Sequence, residues 1–190
     1  CHSGPVTSFT FATAHSIAFG PGRSAELAGV VAGLGRRPFV CTGADPTRFG
    51  RLLDDLPDAR TWPVSGEPAL DDIRSGVAAA RAHRADVVIG LGGGAVLDAA
   101  KLIAALSPNS GDVLDYLEVI GAGRPLAELP LPFVAVPTTA GTGSEVTSNG
   151  VVTSPEHGVK VSLRAPSMLA RVALIDPELT IGCPPAVTAS

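Results

Sequence analysis

Three consecutive glycines, Gly92, Gly93 and Gly94, stand where an apolar run meets a stretch of helical character. Residues 90–95, GLGGGA, fit the pattern G-x-G-x-x-G/A, follow a predicted strand and open a predicted helix. The N-terminus of a helix carries unpaired N–H groups and partial positive charge, which suit a phosphate, and glycines let that phosphate come close. The motif therefore indicates a phosphate site, although a tight turn alone can have the same letters.

The predicted helix after the glycines is apolar almost all round, and its only charges are Asp98 and Lys101. Because they are three residues apart, the two side chains can pair with each other on the helix surface. Contact with a ligand is the second interpretation, and the sequence leaves both open. The glycine motif also departs from the usual dinucleotide pattern, because it follows a later strand and no acidic strand end lies about 20 residues further on.

A second polar loop follows another predicted strand, within residues 135–153, AVPTTAGTGSEVTSNGVVT. Its hydroxyl side chains belong to Thr138, Thr139, Thr142, Ser144, Thr147 and Ser148. Ligands of open α/β sheets bind at the carboxyl ends of the strands, where this loop begins. Such a loop can also be merely solvated, but two polar loops at two strand ends favour a binding site.

The elements that must position these loops are short, continuous apolar runs that alternate with helical patterns. Parallel strands joined by helices are buried on both faces and have such runs. The pattern predicts an α/β fold with a doubly wound, mostly parallel, Rossmann-like sheet. The predicted strands are residues 38–42, 86–91, 133–137 and 172–176, and the predicted helices are residues 23–35 and 69–82.

The N-terminal region and the longest connection add three further expectations. Residues 8–12 (FTFAT) and 15–19 (HSIAF) predict a pair of strands, which would leave an edge that needs cover. Gly35 follows the first predicted helix and suits the left-handed position that ends a helix. Residues 107–132 form a long connection with one or two helical turns around VLDYLEV.

Composition excludes several classes of function. The chain has 190 residues, 17% of them charged, and a net charge of −4, so it lacks the basic patch of a nucleic-acid-binding protein. No apolar run reaches the length of a membrane span and no secretory leader is visible, so we expect neither a nucleic-acid nor a membrane partner. Three distant cysteines, Cys1, Cys41 and Cys183, are typical of reduced thiols, and we expect a cytoplasmic location.

The order of the motifs resembles a known family. GLGGGAVLDAAK, PTTAGTGSEVT, Lys160, LIDPELT and PPAVTAS follow one another as in the iron-containing (group III) alcohol dehydrogenases, from about Phe9 to the last residue. The threonine motif is highly specific and the glycine motif less so. The resemblance implies that residues 1–182 form a domain that binds NAD or NADP, and that residues 183–190 begin an all-helical metal-binding domain.

Carried over position by position, the resemblance implies where the cofactor lies. Gly93, Gly94 and Ala95 would face the pyrophosphate, with Ala95 standing where the family commonly has Ser. Asp98 matches the acidic residue of the motif. The diphosphate, ribose and nicotinamide would be lined by Thr138, Thr139, Thr142 and Thr147.

Three more positions are implied for the rest of the cofactor. Lys160 would reach the nicotinamide ribose, and Leu179 would pack near the adenine or its ribose. Gly43, directly after the strand 38–42, stands where many members of the family have Asp. An Asp there would accept from the ribose 2′-OH and repel a 2′-phosphate, so Gly43 predicts tolerance of NADP(H). Alternatively Gly43 only makes a turn, and Asp45 takes the acidic role.

The chemistry that the resemblance implies is hydride transfer between the nicotinamide and the carbon of a small alcohol or aldehyde, with a divalent metal, iron or zinc, as Lewis acid. In the family the metal ligands follow the PPAVTAS segment, and none of them lies within these 190 residues. The histidines of the chain, His2, His15, His83 and His157, have no ligand spacing. We therefore expect the all-helical domain to be absent from this chain, no metal site within it, and no turnover from it alone.

The family also implies a homodimer assembled through the N-terminal strands. Two other interpretations remain at this point. The chain can be a stand-alone dinucleotide-binding module or pseudoenzyme, or a relative of the glycerol dehydrogenases and dehydroquinate synthases, which share the architecture but match the threonine loop less well.

Overall fold

A computed structural model describes residues 8–183 and places six parallel strands in one sheet. The elements in chain order are β1 (Ile17–Phe19), α1 (Leu27–Ala32), β2 (Pro38–Thr42), α2 (Gly50–Asp54), β3 (Arg60–Pro63), α3 (Leu70–His83), β4 (Val87–Gly92), α4 (Gly94–Leu106), β5 (Phe133–Pro137), β6 (Asn149–Ser154), β7 (Val159–Arg164) and β8 (Val172–Ile175). The predicted doubly wound, parallel α/β sheet is confirmed, and strands 38–42 and 133–137 have the predicted bounds.

The order of strands across the sheet is β1-β8-β5-β4-β2-β3, and β6 and β7 form a separate antiparallel hairpin. After β2 the chain goes outward to β3, and it then crosses back to place β4 on the other side of β2. The connection after β2 therefore leads toward one edge of the sheet, and the connection after β4 leads toward the other. In open α/β sheets a crevice for ligands forms at such a switch point, outside the carboxyl ends of the strands.

The core lies on both faces of the sheet, as continuous apolar strands require. All five residues of β2 are buried; Phe39 packs on the side of α3 and α4, and Val40 packs on the side of α1. Helix α4 is itself covered by the hairpin, because a Cβ added to Gly150 of β6 would lie 2.9 Å from the Asp98 carbonyl oxygen. This double burial explains why α4 is apolar almost all round.

The predicted N-terminal strand pair is wrong. Residues 8–12 form no strand, and β1 instead pairs in parallel with β8, with Ile17 opposite Ala173. Phe9 and Phe11 are 85% and 80% exposed, so these side chains do not hold residues 8–12 against a partner strand among residues 8–183. The backbone of β1 instead pairs with the edge of β8.

Gly35 does not end a helix in the left-handed conformation. Helix α1 ends at Ala32, and the capping Gly33 has φ −80°. A Cβ on Gly35 would lie 2.5 Å from Asp86 Oδ1, so glycine is needed there for close approach to the start of β4. The connection 107–132 has a single helical turn, Val113–Asp115, close to the expectation. Among residues 8–183, none of the helices has the length and apolar character needed to cross a membrane.

Candidate functional site

The N-terminus of α4 lies at the switch point and offers free backbone donors. Gly93 caps the helix in an extended conformation, and the first intrahelical bond runs from the Leu97 N–H to the Gly93 carbonyl at 3.0 Å. The N–H groups of Gly94, Ala95 and Val96 therefore have no acceptor within the helix. Gly93, Gly94 and Ala95 are partly exposed. The predicted phosphate position is thus a helix N-terminus that a ligand can reach.

The threonine loop packs directly beside the glycines, so two loops predicted separately form one surface. The Thr138 N–H donates to the Gly92 carbonyl at 3.0 Å. A Cβ on Gly93 would lie 3.3 Å from Thr139 Oγ1, and one on Gly94 would lie 3.1 Å from Thr142 Cγ2. A side chain at either position would thus press on the threonine loop, which would have to move by a few tenths of an ångström.

Within residues 8–183, two buried hydroxyl groups in this region lack a hydrogen-bond partner. They belong to Thr139, which follows β5, and to Thr42, the last residue of β2. Both strands are neighbours of β4, so the two hydroxyls flank the strand that leads into α4. A buried hydroxyl without a partner is costly, and such groups in native structures call for an explanation. Together with the free N–H groups of α4 they fit the polar oxygens of the dinucleotide that the resemblance implies.

The threonine loop keeps its shape through two glycines in the left-handed region. Gly141 has φ +98° and Gly143 has φ +67°, values that a side chain would disfavour. After Gly143 a short helical turn, Ser144–Val146, brings the loop back onto α4.

Asp98 and Lys101 hold that turn in place. The Lys101 side chain is 0% exposed, and its Nζ lies 3.1 Å from Asp98 Oδ1. Lys101 Nζ also donates to the Ser144 carbonyl at 2.9 Å and to Thr147 Oγ1 at 3.0 Å. Asp98 accepts from the Ser144 hydroxyl and, at 3.2 Å, from the Val151 N–H. The interpretation as a local ion pair is confirmed, and the pair further joins α4, the threonine loop and β6.

Burial determines the direction in which the pKa of Lys101 shifts. Desolvation lowers the pKa of Lys101, while the neighbouring Asp98 and the more distant Glu145 oppose that effect. Both oxygens of Asp98 have partners within the protein, and the Thr147 hydroxyl accepts from Lys101. These groups therefore position the loop, whereas the Thr139 hydroxyl has no hydrogen-bond partner within residues 8–183.

Lys160 and Leu179 lie on other elements. Lys160 is on β7, and its Nζ lies 3.1 Å from Glu67 Oε2 in an ion pair in which both side chains are about 60% exposed. Such an exposed pair contributes little free energy, so the ammonium can exchange partners. Leu179 is half-buried in the turn Pro177–Thr180 and packs on the α1 side of the sheet.

Sequence reasoning missed the residue that fixes the turn of Leu179. Asp176 is buried and accepts from the Ser24 N–H and the Glu178 N–H, both at 3.0 Å. Burial alone would raise the pKa of Asp176, but a hydrogen bond from the Ser24 hydroxyl at 2.6 Å, together with the backbone N–H donors, outweighs it and leaves the pKa below its usual value. The signal was the Asp-Pro pair at 176–177, since Asp caps a helical turn that Pro begins.

Gly43 follows β2 and has open space around it, because an added Cβ would meet no atom within 4 Å. Asp45, two residues on, caps the turn Pro46–Phe49 and accepts from the Thr47 N–H at 3.0 Å and from the Thr47 hydroxyl. These hydrogen bonds lower the pKa of Asp45, so the carboxylate stays ionised while it serves the turn. Neither residue blocks the space beside the end of β2.

Residues 8–183 form no group of three or more His, Cys, Asp or Glu side chains that could bind a metal ion. The described residues therefore do not fit an iron or zinc site. Cys1, His2 and the PPAVTAS segment, 184–190, lie outside the described residues.

Comparison with known proteins supplies a family. The sequence model of the iron-containing alcohol dehydrogenases matches residues 14–177. The chain is 34% identical over 191 aligned residues to the sulfoacetaldehyde reductase of Bilophila wadsworthia, covering 95% of this chain and 48% of that protein. It is 45% identical over 127 residues to long-chain-alcohol dehydrogenase 1 of Geobacillus thermodenitrificans, covering 67% of this chain and 31% of that protein.

A solved structure agrees with this comparison. The crystal structure of sulfoacetaldehyde reductase from Bifidobacterium kashiwanohense in complex with NAD+ has a TM-score of 0.85 and 28% sequence identity, over 96% of this chain and 50% of that one. The chain thus spans about half the length of these relatives or less.

Proposed function

The chain belongs to the iron-containing alcohol dehydrogenase family, and from that premise we propose that it forms the NAD(P)-binding part of an oxidoreductase acting on a small alcohol or aldehyde. The observation that carries this proposal is the juxtaposition of the α4 N-terminus with the unpartnered Thr139 hydroxyl at the switch point. The bound cofactor supplies or takes up the hydride. The residues of this chain bind the dinucleotide and hold it in place.

Each part of the site has a distinct task in this proposal. The free N–H groups after Gly93 and the positive end of the helix dipole bind the pyrophosphate. Thr139 donates its hydroxyl to the same region, and Thr138, Thr142 and Thr147 line the remaining diphosphate, ribose and nicotinamide. Asp98 acts through Lys101, because the pair keeps the threonine loop against α4.

Lys160, Leu179 and Gly43 serve the two ends of the cofactor. Lys160 leaves Glu67 and reaches the nicotinamide ribose, since its ion pair is exposed. Leu179 covers the adenine side from the turn after β8. Gly43 leaves room beside the adenosine ribose, and we propose that the site accepts both NAD(H) and NADP(H).

The substitution Thr139→Val tests the site. Valine keeps the shape of threonine and removes a hydroxyl that has no partner among residues 8–183, so we expect unchanged or slightly higher stability and an NADH affinity lowered about fivefold or more, on the order of 1 kcal/mol. Thr153→Val is the matched control, because the Thr153 hydroxyl is also buried and unpartnered but lies on β6, outside the two loops. Unchanged NADH affinity in Thr139→Val, or an equal loss in both variants, would contradict the proposal.

The rest of the reaction is proposed at the level of the family. A divalent metal, iron or zinc, would polarise the carbonyl of the aldehyde, but residues 8–183 hold no ligand set for it. We propose residues 1–182 as one dinucleotide-binding domain and residues 183–190 as the start of a helical one.

We further propose a homodimer formed through the N-terminal region. Its support is the free edge of β1, the last strand of the sheet, together with three exposed phenylalanines, Phe9, Phe11 and Phe19. An edge strand beside apolar side chains is a template for a second chain. A cytoplasmic location is proposed from Cys41 and Cys183, both free thiols.

A further inference from the structure

The turn that follows β2 carries a cation at the carboxyl edge of the sheet. Arg48 lies in the turn Pro46–Phe49, and its guanidinium carbon stands 5.4 Å from the centre of the Phe49 ring. A Cβ added to Gly182 would lie 2.6 Å from Arg48 Nη2. The guanidinium therefore reaches from the connection after β2 to the segment after β8.

The Arg48 side chain extends between the two elements that the proposed site places beside the adenosine of the cofactor. Gly43 opens the space after β2, and Leu179 lies on the turn just before Gly182. Strands β2 and β8 are three strand intervals apart in the sheet order, roughly 14 Å at about 4.8 Å per interval. The Arg48 side chain starts in the turn after β2 and its guanidinium lies beside Gly182, three residues after Leu179, so the side chain extends along this span.

The Arg48 guanidinium has no direct ion pair or hydrogen bond within the described part of the chain. The ion pairs there bring no carboxylate within 4.0 Å of its guanidinium, and no hydrogen bond is donated by it. The nearest acidic side chain along the turn, Asp45, is held by Thr47. An arginine fork binds a phosphate through two parallel hydrogen bonds, and an arginine near the ribose is how dinucleotide folds accommodate a 2′-phosphate.

We propose that Arg48 is the counter-charge for the 2′-phosphate of NADP(H), so that Gly43 makes room for this group and Arg48 binds it. The inference rests on the proposed dinucleotide site and adds to it the residue that decides between the two cofactors. An alternative contact, stacking of the guanidinium on the adenine ring, would serve NADH and NADPH equally.

The experiment compares dissociation constants of NADH and NADPH for the full chain and for Arg48→Gln, followed by nicotinamide fluorescence. Adenosine 2′,5′-bisphosphate and 5′-AMP are the competing probes that isolate the 2′-phosphate. We expect Arg48→Gln to lose about tenfold in NADPH affinity, equal to about 1.4 kcal/mol, while NADH changes less than about twofold. Arg51→Gln, an exposed arginine one turn further along, is the matched control and should change neither.

Two further readouts separate charge from structure. Arg48→Lys should retain part of the NADPH affinity, and added salt should weaken NADPH binding more in the wild type than in Arg48→Gln. An equal loss for NADH and NADPH, or no loss for NADPH, would overturn the inference while leaving the dinucleotide site intact. Failure of the wild-type chain to bind either dinucleotide would overturn the proposed function as well.

Discussion

Replacing Asp98 with asparagine tests the contact that holds the two loops of the site together. The Lys101 side chain is 0% exposed, and within the described residues Asp98 is the carboxylate within 4.0 Å of its ammonium. The variant leaves that ammonium with two neutral acceptors, the Ser144 carbonyl and the Thr147 hydroxyl. Breaking a buried ion pair by removing one partner costs about 3–5 kcal/mol. Because asparagine keeps one oxygen as an acceptor, we expect a loss near the lower end of that range.

The loss should depend on pH in a definite direction. Burial lowers the pKa of Lys101 and Asp98 opposes this effect, so removing the carboxylate lowers the pKa further. Between the folded pKa and the unfolded value of about 10.4, the unfolded chain binds more protons, and stability therefore rises with pH in that window. The deficit of Asp98→Asn relative to the wild type should be largest near pH 7 and smaller at about pH 9.5.

Urea unfolding of the chain at both pH values measures this deficit. At an m-value of about 2 kcal/mol/M, a loss of about 3 kcal/mol lowers the urea midpoint by about 1.5 M. The double variant Asp98→Asn/Lys101→Met removes both charges, and we expect it to be more stable than Asp98→Asn alone. A deficit below about 1 kcal/mol at pH 7, or a double variant less stable than the single one, would refute the assignment of Asp98 as the partner that makes the buried lysine tolerable.

Three further predictions concern other parts of the chain. Gly94→Ala places a Cβ 3.1 Å from Thr142 Cγ2. NADH titration should therefore give an affinity several-fold lower, while the free energy of unfolding in urea changes by less than about 1 kcal/mol. An unchanged NADH affinity would contradict the loop contact. Phe11→Ser should reduce the light-scattering mass from two chains to one at micromolar concentration, and a single-chain mass for the wild type would rule out the dimer. Arg74 donates two hydrogen bonds at 2.8 Å to Asp112 and lowers the pKa of Asp112 to about 2. Arg74→Gln should therefore cost up to about 1 kcal/mol at pH 7, since the pair is half-exposed, and this difference should shrink as pH falls from about 4 through 2; a difference at pH 2 as large as the one at pH 7 would exclude this ion pair as its cause.

The strands of the sheet centre were predictable because their environment is simple. Strands β2 and β5 are buried on both faces, and a continuous apolar run follows from that burial. Strand β3, with Arg60 and Pro63 at its ends, is a half-exposed edge, so its sequence lacks the apolar run that marks a strand. The hairpin of β6 and β7 was also missed, because Gly150 and the polar residues before it are typical of a loop.

The N-terminal strand pair failed for a different reason. A sequence of β-forming residues such as 8–12 shows only that the backbone can adopt an extended conformation. Whether the segment forms a strand depends on a partner strand elsewhere in the fold. Residues 8–12 have no partner strand in the described part of the chain, whereas β1 is held by β8, more than 150 residues away in sequence. Pairing over such a separation leaves no local signal in either segment.

In the candidate site, too, the features that depend on local sequence were predictable, and those that depend on contacts between distant segments were not. The glycine and threonine loops were predictable because each follows an apolar strand and has residues suited to a phosphate. That they touch follows from the neighbouring positions of β4 and β5, which the sequence does not state. Thr139 was one of several equivalent hydroxyl residues in the sequence, and only its burial without a partner distinguishes it.

The two charges of α4 explain why an otherwise apolar helix can support a defined site. A helix packed between the sheet and a hairpin by apolar contacts alone could accept the hairpin in several registers, because such contacts are not directional. Asp98 accepts from β6 through Val151, and Lys101 donates to the threonine loop through the Ser144 carbonyl. These bonds are directional, and a shifted register would leave a buried ammonium and a carboxylate unpaired, at a cost of several kcal/mol. The pair therefore fixes the position of the threonine loop relative to the α4 N-terminus, which is the geometry that the proposed phosphate binding requires.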